Sequence, residues 1–341
     1  GIGHNRPQAP PTQRCHCGPS AVNDPASLNP PESKPSRRAG PDPSADLVFV
    51  GLARDCEASL HNAVTQLSAV APPARRVRWF VVESDSSDAT VRVLERLEAT
   101  HEGFAFRSLG SLRDRLPART QRIAHCRNAC LDWLREQADL APSSHVIVAD
   151  LDGVNDGVAA ADLLSCWTRD DWSVCAANQP AHYYDIWALR HPQWCAGDCW
   201  REYEFLSRHG IEPDRARMAA VYARMVSIPA DSEWIEVDSA FGGLAVYRAD
   251  ALLPCRYEGL TADGGEVCEH VSVHAQIRAR GGRLFINPRL VNAGAEHLDH
   301  YWPEYRHIRE TSRRLWFRAL LRLSFGKQAS KEIRRLLRSL E

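Results

Sequence analysis

The sequence has no uninterrupted apolar run near the roughly 18 residues that cross a bilayer. Its first ten residues, GIGHNRPQAP, do not read as a secretory signal. Charge of one sign is also missing: 42 basic and 43 acidic residues leave a net charge of -1 at pH 7. No bulk field therefore recruits nucleic acid, and any basic patch is local. G-x-G-x-x-G and G-x-x-x-x-G-K-[ST] are absent, which removes the dinucleotide fingerprint and the P-loop. Lysine is nearly absent, with Lys34, Lys327 and Lys331 as the whole set. A phosphate ligand would have to be neutralised by arginine or by a metal. With no secretory signal, the eleven cysteines read as reduced thiols in a cytoplasmic protein rather than a disulfide framework. The CHC at Cys15 to Cys17 and the pairs Cys126/Cys130 and Cys195/Cys199 match no zinc-finger or zinc-ribbon spacing.

What is present fits a soluble α/β protein. At 341 residues and 44% hydrophobic, the chain can bury one large core or two smaller ones. Residues 1–46 are dense in Pro, Ser, Gly and Asn without an apolar period, and read as a disordered tail. Order is expected from Leu47, where LVFVGL fits a buried parallel strand. A helix carrying Leu60, Val64 and Leu67 follows. Val77 to Val82 is a second strand, Asp88 can cap a helix with Val91, Leu94 and Leu97, and Phe104 to Leu109 is a third strand. Arg119 to Gln137 reads as a long helix and Val146 to Ala149 as a fourth strand. This alternation predicts right-handed crossovers and a mostly parallel sheet covered on both faces.

The fourth strand delivers Asp150 and Asp152 with only Leu151 between them. Ligands of open α/β sheets bind beyond the carboxyl ends of strands, where two carboxylates suit Mn2+ or Mg2+ shared with substrate phosphates. An Asp in that place is also a common turn former or helix cap. Ala53, Arg54 and Glu57 follow the first strand, and Glu83, Ser84 and Asp85 follow the second. Arg119, Arg122 and Arg127 lie on the helix before the aspartate strand, and arginine forks match phosphate oxygens.

The series FVGLARDCE, VVESDSSDAT, RIAHCRNACLDWL and HVIVADLDG resembles the nucleotide-sugar-binding half of GT-A glycosyltransferases. It looks most like family 2 enzymes and the capsule-associated mannosyltransferase group. YYDIWALR, SAFGGLAVYR, CEHVSVH and INPRLVN continue the likeness, which runs from Leu47 to His300. The resemblance implies a single GT-A-like domain at 47–300, with a Rossmann-like nucleotide half at 47–158 and an acceptor half at 159–300. It implies transfer of a sugar from a nucleotide-diphosphate donor to a hydroxyl acceptor. Asp150 and Asp152 would then bind metal and diphosphate, and Ala53, Arg54, Glu57, Glu83 and Asp85 would form the nucleoside pocket. Arg127 and Asn128 match an Arg-Asn pair typical of the preceding helix. Glu269 or Glu266 would be the base, and His274, His270 or His297 a further metal ligand.

In the second half, Ser239 to Tyr247 reads as a strand interrupted by Gly242 and Gly243, where a ligand can approach the backbone. Trp167, Trp172, Tyr183, Tyr184, Trp187, Trp194, Trp200 and Trp234 are candidates for stacking on a sugar, with core packing expected to claim most. Two other functions compete. A haloacid-dehalogenase-like phosphatase would use Asp150 as nucleophile, but its motif opens the domain and its mechanism needs a lysine. A non-catalytic carbohydrate-binding protein could keep the fold. Residues 301–341 interleave arginine and lysine with leucine, tryptophan and phenylalanine, the pattern of basic amphipathic helices for peripheral contact with an anionic membrane or for docking on the main domain.

Overall fold

The computed structural model describes residues 40–292, all within the unit Pro35–Glu341. Eight strands form one mixed sheet: β1 (Asp46–Ala53), β2 (Arg76–Glu83), β3 (Phe104–Ser108), β4 (His145–Asp150), β5 (Val174–Asn178), β6 (Ile235–Val237), β7 (Leu244–Arg248) and β8 (Leu284–Val291). Helices α1 (Leu60–Ala69), α2 (Thr90–Thr100) and α3 (Arg119–Glu136) connect the first four strands. The second half adds α4 (Ala160–Leu164), α5 (Cys199–Arg208), α6 (Pro213–Ala220), α7 (Ala249–Leu252) and α8 (Glu269–Ala279). Among the described residues, no helix is long and apolar enough to cross a membrane.

The strand order is β3-β2-β1-β4-β7-β5-β8-β6. β1, β2, β3 and β4 run parallel, β7 is antiparallel to both β4 and β5, β8 is parallel to β5, and β6 closes the sheet antiparallel to β8. The expected parallel half is present, and the second half is mixed because β7 enters from the opposite direction.

The continuous apolar run of β1 follows from burial on both faces. Leu47 and Phe49 join α1 and α2 through Leu60, Val64 and Leu94 in one core. Val48 and Val50 face the other way and pack with Leu131 and Leu134 of α3 in a second core. This is the period-2 alternation of a strand between two helical layers. Each fully buried Leu, Val or Phe contributes roughly 1.5–3 kcal/mol relative to an exposed one. The first residue of β1 departs from the sequence reading. Asp46, assigned to the tail, is 1% exposed and accepts from Arg75 at 2.8 Å, Arg76 at 2.8 Å and Arg78 at 2.9 Å.

The glycine pair is also displaced from its expected place. Gly242 and Gly243 do not interrupt a strand but form the turn that starts β7, with φ of 72° and 85°, a region that suits glycine. The nine cysteines among the described residues are free thiols. Residues 1–39 and 293–341, with the CHC motif, His297 and the basic C-terminal segment, lie outside the described residues.

Candidate functional site

From β1 the chain winds one way through β2 and β3, while β4 lies on the other side of β1. Connections diverge at such a reversal and leave a crevice at the carboxyl ends of the strands. A cleft of about 440 Å³ opens there. β1 contributes Leu52, Ala53 and the following Arg54, β2 gives Val82 and the following Ser84 and Asp85, and β4 gives Asp150 and the following Leu151 and Asp152. α3 lines the floor with Arg119, Arg122, Ile123, Cys126 and Arg127, which share one helical face at this spacing. Tyr184, Asp185, Trp187, Phe241, Gly243, Glu269 and His270 complete the wall from the second half.

Arg127 is the centre of the charge pattern. It is 4% exposed, donates through Nη2 to Asp150 Oδ1 at 3.2 Å, and holds Nε 3.5 Å from Glu269 Oε1. Its guanidinium carbon lies 5.3 Å from the centre of the Phe241 ring. Burial works against its charge, but Asp150 and Glu269 outweigh burial and keep it protonated. Nε and Nη1 have no hydrogen-bond partner. Asp150 is raised above the usual carboxylate range, first by desolvation and then by Asp152, Asp185 and Glu269, with Arg127 pulling the other way. That shift is tempered because 39% of its side-chain surface is open. Asp152 is exposed and accepts weakly from the Val154 amide at 3.3 Å.

The glycine turn places backbone directly beneath this pair. The Asp150 amide donates to Gly243 O at 2.9 Å, and Asn155 Nδ2 donates to the same carbonyl at 3.0 Å. A Cβ on Gly243 would lie 2.9 Å from Val154 Cγ1 and 3.0 Å from Tyr184 Oη, so no side chain fits. Gly242 packs against Gln179 and Ala177 instead of the cleft, and its amide donates to Asp185 Oδ2 at 2.9 Å. Its part is structural.

The cleft thus gathers Ala53, Arg54, Asp85, Arg127, Asp150, Asp152, Gly243 and Glu269 from the sequence candidates. Five others are engaged elsewhere. Glu57 accepts from the Ala89 amide at 2.6 Å and ties the start of α2. Glu83 is buried and accepts from the Ser86 amide at 3.0 Å; with Arg54 and Asp85 it lines a neighbouring hollow of about 450 Å³. Asn128 makes a two-way bridge to the Tyr257 backbone, both bonds at 2.9 Å. Glu266 accepts from the Thr120 amide at 3.0 Å and hydroxyl at 2.8 Å, at the start of α3. His274 is fully buried, with Nδ1 2.8 Å from Ser239 Oγ and Nε2 2.8 Å from Tyr247 Oη. Both of its nitrogens are occupied, so it stands outside the metal set proposed below.

Sequence reasoning missed Asp185. It sits in the connection after β5, and burial pushes its carboxyl up to about 6 against hydrogen bonds from the Gly242 and Ala188 amides. No strand-end or helix signal marks it; only its place within YYDIWALR does. Of the expected stacking aromatics, Tyr184 and Trp187 line the cleft. Trp167 and Trp172 pack around His145, and Tyr183 is fully buried.

Among the described residues, no group of three or more His, Cys, Asp or Glu side chains could hold a metal by itself. Asp150 and Asp152 are the carboxylates that the end of β4 brings to the cleft. Hard oxygen donors, left incomplete, match Mg2+ or Mn2+, which keep waters and take substrate phosphates.

No protein-family model matches the chain, and no curated protein does. Solved structures do resemble it. A mannosyltransferase from Pyrobaculum calidifontis in complex with GDP-Man and Mn2+ aligns over 75% of this chain and 59% of its own, at 15% identity and a TM-score of 0.43. TarS from S. aureus aligns over 71% and 57%, at 11% identity and 0.38. The glucosyl-3-phosphoglycerate synthase of Mycobacterium tuberculosis with UDP aligns over 73% and 69%, at 12% identity and 0.32. The chain spans little more than half the length of the first two.

Proposed function

We propose that this protein is a metal-dependent glycosyltransferase that moves a sugar from a nucleotide-diphosphate donor to a hydroxyl of a glycan or other glycoconjugate. The observation that carries the reading is the meeting of Asp150, Arg127 and Glu269 at the carboxyl end of β4, in the crevice beside β1. Asp150 and Asp152 would hold Mn2+ or Mg2+, which when bound supplies positive charge for a departing diphosphate. Arg127 adds a fixed charge at the same place, with Nη1 free of any hydrogen bond to the protein. Such preorganised charge counts most where the leaving group becomes negative. Ala53, Arg54 and Asp85 face the nucleoside from the ends of β1 and β2. Tyr184 and Trp187 offer ring surface to a sugar. In an inverting reaction Glu269 accepts the proton of the acceptor hydroxyl as that oxygen attacks.

The test is a panel of nucleotide sugars, each with Mn2+, read by thermal shift and by release of nucleoside diphosphate. A donor at a hundredfold excess over its Kd adds about 2.7 kcal/mol of stability. Asp150→Asn and Asp152→Asn should each lose Mn2+-supported binding and release. Apo stability should stay within about 1 kcal/mol of wild type for the exposed Asp152, whereas Asp150→Asn also takes a charged partner from buried Arg127 and should cost more. Release that is absent for every donor, or unchanged in both variants, overturns the assignment. Hydrolysis of a generic aryl phosphate that disappears in Asp150→Asn would favour the phosphatase instead.

A further inference from the structure

Behind the cleft wall, four buried side chains form a continuous hydrogen-bonded chain. Ser239 Oγ lies 2.8 Å from His274 Nδ1, His274 Nε2 lies 2.8 Å from Tyr247 Oη, and Tyr247 Oη lies 3.3 Å from His270 Nδ1. None of the four is more than 2% exposed. The two histidines are one turn apart on α8, and Tyr247 reaches them from β7. The His270 ring is stacked on Phe241, with centroids 3.9 Å apart and planes at 17°, which fixes its orientation. The loose end is His270 Nε2. It is buried without a hydrogen-bond partner, belongs to the cleft wall, and sits 3.4 Å from Glu269 Oε1.

Two proton arrangements use the Tyr247 hydroxyl proton within the chain. A neutral imidazole carries one N–H and a hydroxyl donates once. Tyr247 could accept from both rings only by leaving its own buried O–H without an acceptor, so the direction of the Tyr247 O–H sets the other links. Burial holds both rings neutral: His270 is driven well below the usual histidine value by desolvation and then by the charge of Arg127, and His274 is lowered to about 3 by burial. In one arrangement Ser239 donates to His274 Nδ1, His274 Nε2–H donates to Tyr247, and Tyr247 donates to His270 Nδ1. That leaves an N–H on His270 Nε2. The reverse arrangement leaves a lone pair there, facing a carboxylate oxygen. An N–H is attracted to a carboxylate and a lone pair is repelled by it, so the first arrangement wins.

We propose that His270 is a positioning residue for Glu269, held as its Nε2–H tautomer by the buried chain Ser239–His274–Tyr247, so that its free N–H fixes the carboxylate that receives the acceptor proton. The proposal rests on the reading of Glu269 given above. In that step the acceptor O–H bond breaks and its proton goes to Glu269, the oxygen's electron pair bonds the anomeric carbon, and the diphosphate leaves with the pair from the broken C–O bond. His270 gains and loses no proton. Its part is to orient the carboxylate from the side of Oε1, and proton transfer depends steeply on such placement.

The first experiment needs neither donor nor acceptor. Protein labelled with 15N-histidine, observed by two-bond 1H–15N correlation at pH 7 and assigned with His270→Gln, should show His270 and His274 both as neutral Nε2–H tautomers. A His270 found as Nδ1–H or as imidazolium overturns the proposal. The second measures Mn2+-dependent nucleoside diphosphate release from whichever nucleotide sugar the panel identifies. His270→Phe, which keeps a ring against Phe241, should lower kcat about tenfold with donor KM unchanged, a fraction of the full worth of a base. His270→Gln, whose amide nitrogen reaches the position of Nε2, should recover most of it. Equal rates in the Phe variant, or no difference between Phe and Gln, sinks the positioning role. Should His270→Phe fail to fold, the wild-type tautomer still decides. A wild type that releases no diphosphate from any donor defeats the glycosyltransferase reading and leaves the tautomer result standing.

Discussion

Glu266 and Glu269 are three residues apart and carry the same side chain, yet their environments assign them different work. Glu269 is buried beside Arg127 and lines the cleft. Glu266 reaches back 146 residues to accept from Thr120 and satisfy an otherwise orphaned amide in the first turn of α3. Glu266→Ala should therefore cost about 1 kcal/mol of stability, the worth of a helix cap, and leave diphosphate release per folded molecule unchanged. Glu269→Gln should remain folded and lose release. Denaturant midpoints and product release on both variants check the pair, and loss of release in the Glu266 variant would reverse their roles. The sequence offered both because its local pattern holds no record of a partner 146 positions away. The same blindness put His274 forward as a ligand when Ser239 and Tyr247 already occupy its ring.

At the scale of elements, strands and helices were legible where burial imposes a period. β1, β2 and β4 are apolar runs because both of their faces are covered, and α3 shows its apolar spacing through Ala124, Leu131 and Leu134. The misreadings fall where polar side chains are structural. Asp46 resembled the last residue of a polar tail, but it is a buried anchor for three arginines at the start of β2. Burial alone would raise its carboxyl; hydrogen bonds from Arg75 and Arg76 and the charges of Arg76 and Arg78 instead lower it from 3.8 to about 2. A depressed carboxylate contributes its full stability above pH 3.8 and loses it as pH falls toward 2. His145, at the start of β4, accepts from Trp167 Nε1 at 3.3 Å and is lowered by burial from 6.5 to about 4. Because the unfolded chain takes up that proton first, stability drops as pH falls from 6.5 to about 4. Acid unfolding should show both windows. Asp46→Asn should shrink the lower one, which other depressed carboxylates such as Asp85 and Asp171 share, keep the upper one, and lower neutral-pH stability by about 2 kcal/mol. Urea midpoints between pH 2 and 7 provide the check, and an unchanged acid limb would show that the arginine cluster contributes nothing.

For the whole molecule, the insertion of β7 between β4 and β5 bears on how the protein is made. When the ribosome has released β4, the edge that carries Val146 to Ala149 has no neighbour; its partner, Leu244–Arg248, emerges about a hundred residues later. During that interval the nascent chain carries an open, apolar strand edge, the kind that pairs with other chains. The pairing of β4 with β7 joins in one sheet the two halves that the sequence reading divides at residue 158. A truncated chain ending there should self-associate in sedimentation experiments, whereas a monodisperse monomer with protected β4 amides would show that the edge is covered some other way. Synthesis must outrun that exposure or be sheltered through it, so slow codons between β4 and β7 would lower the yield of soluble protein without changing a single residue.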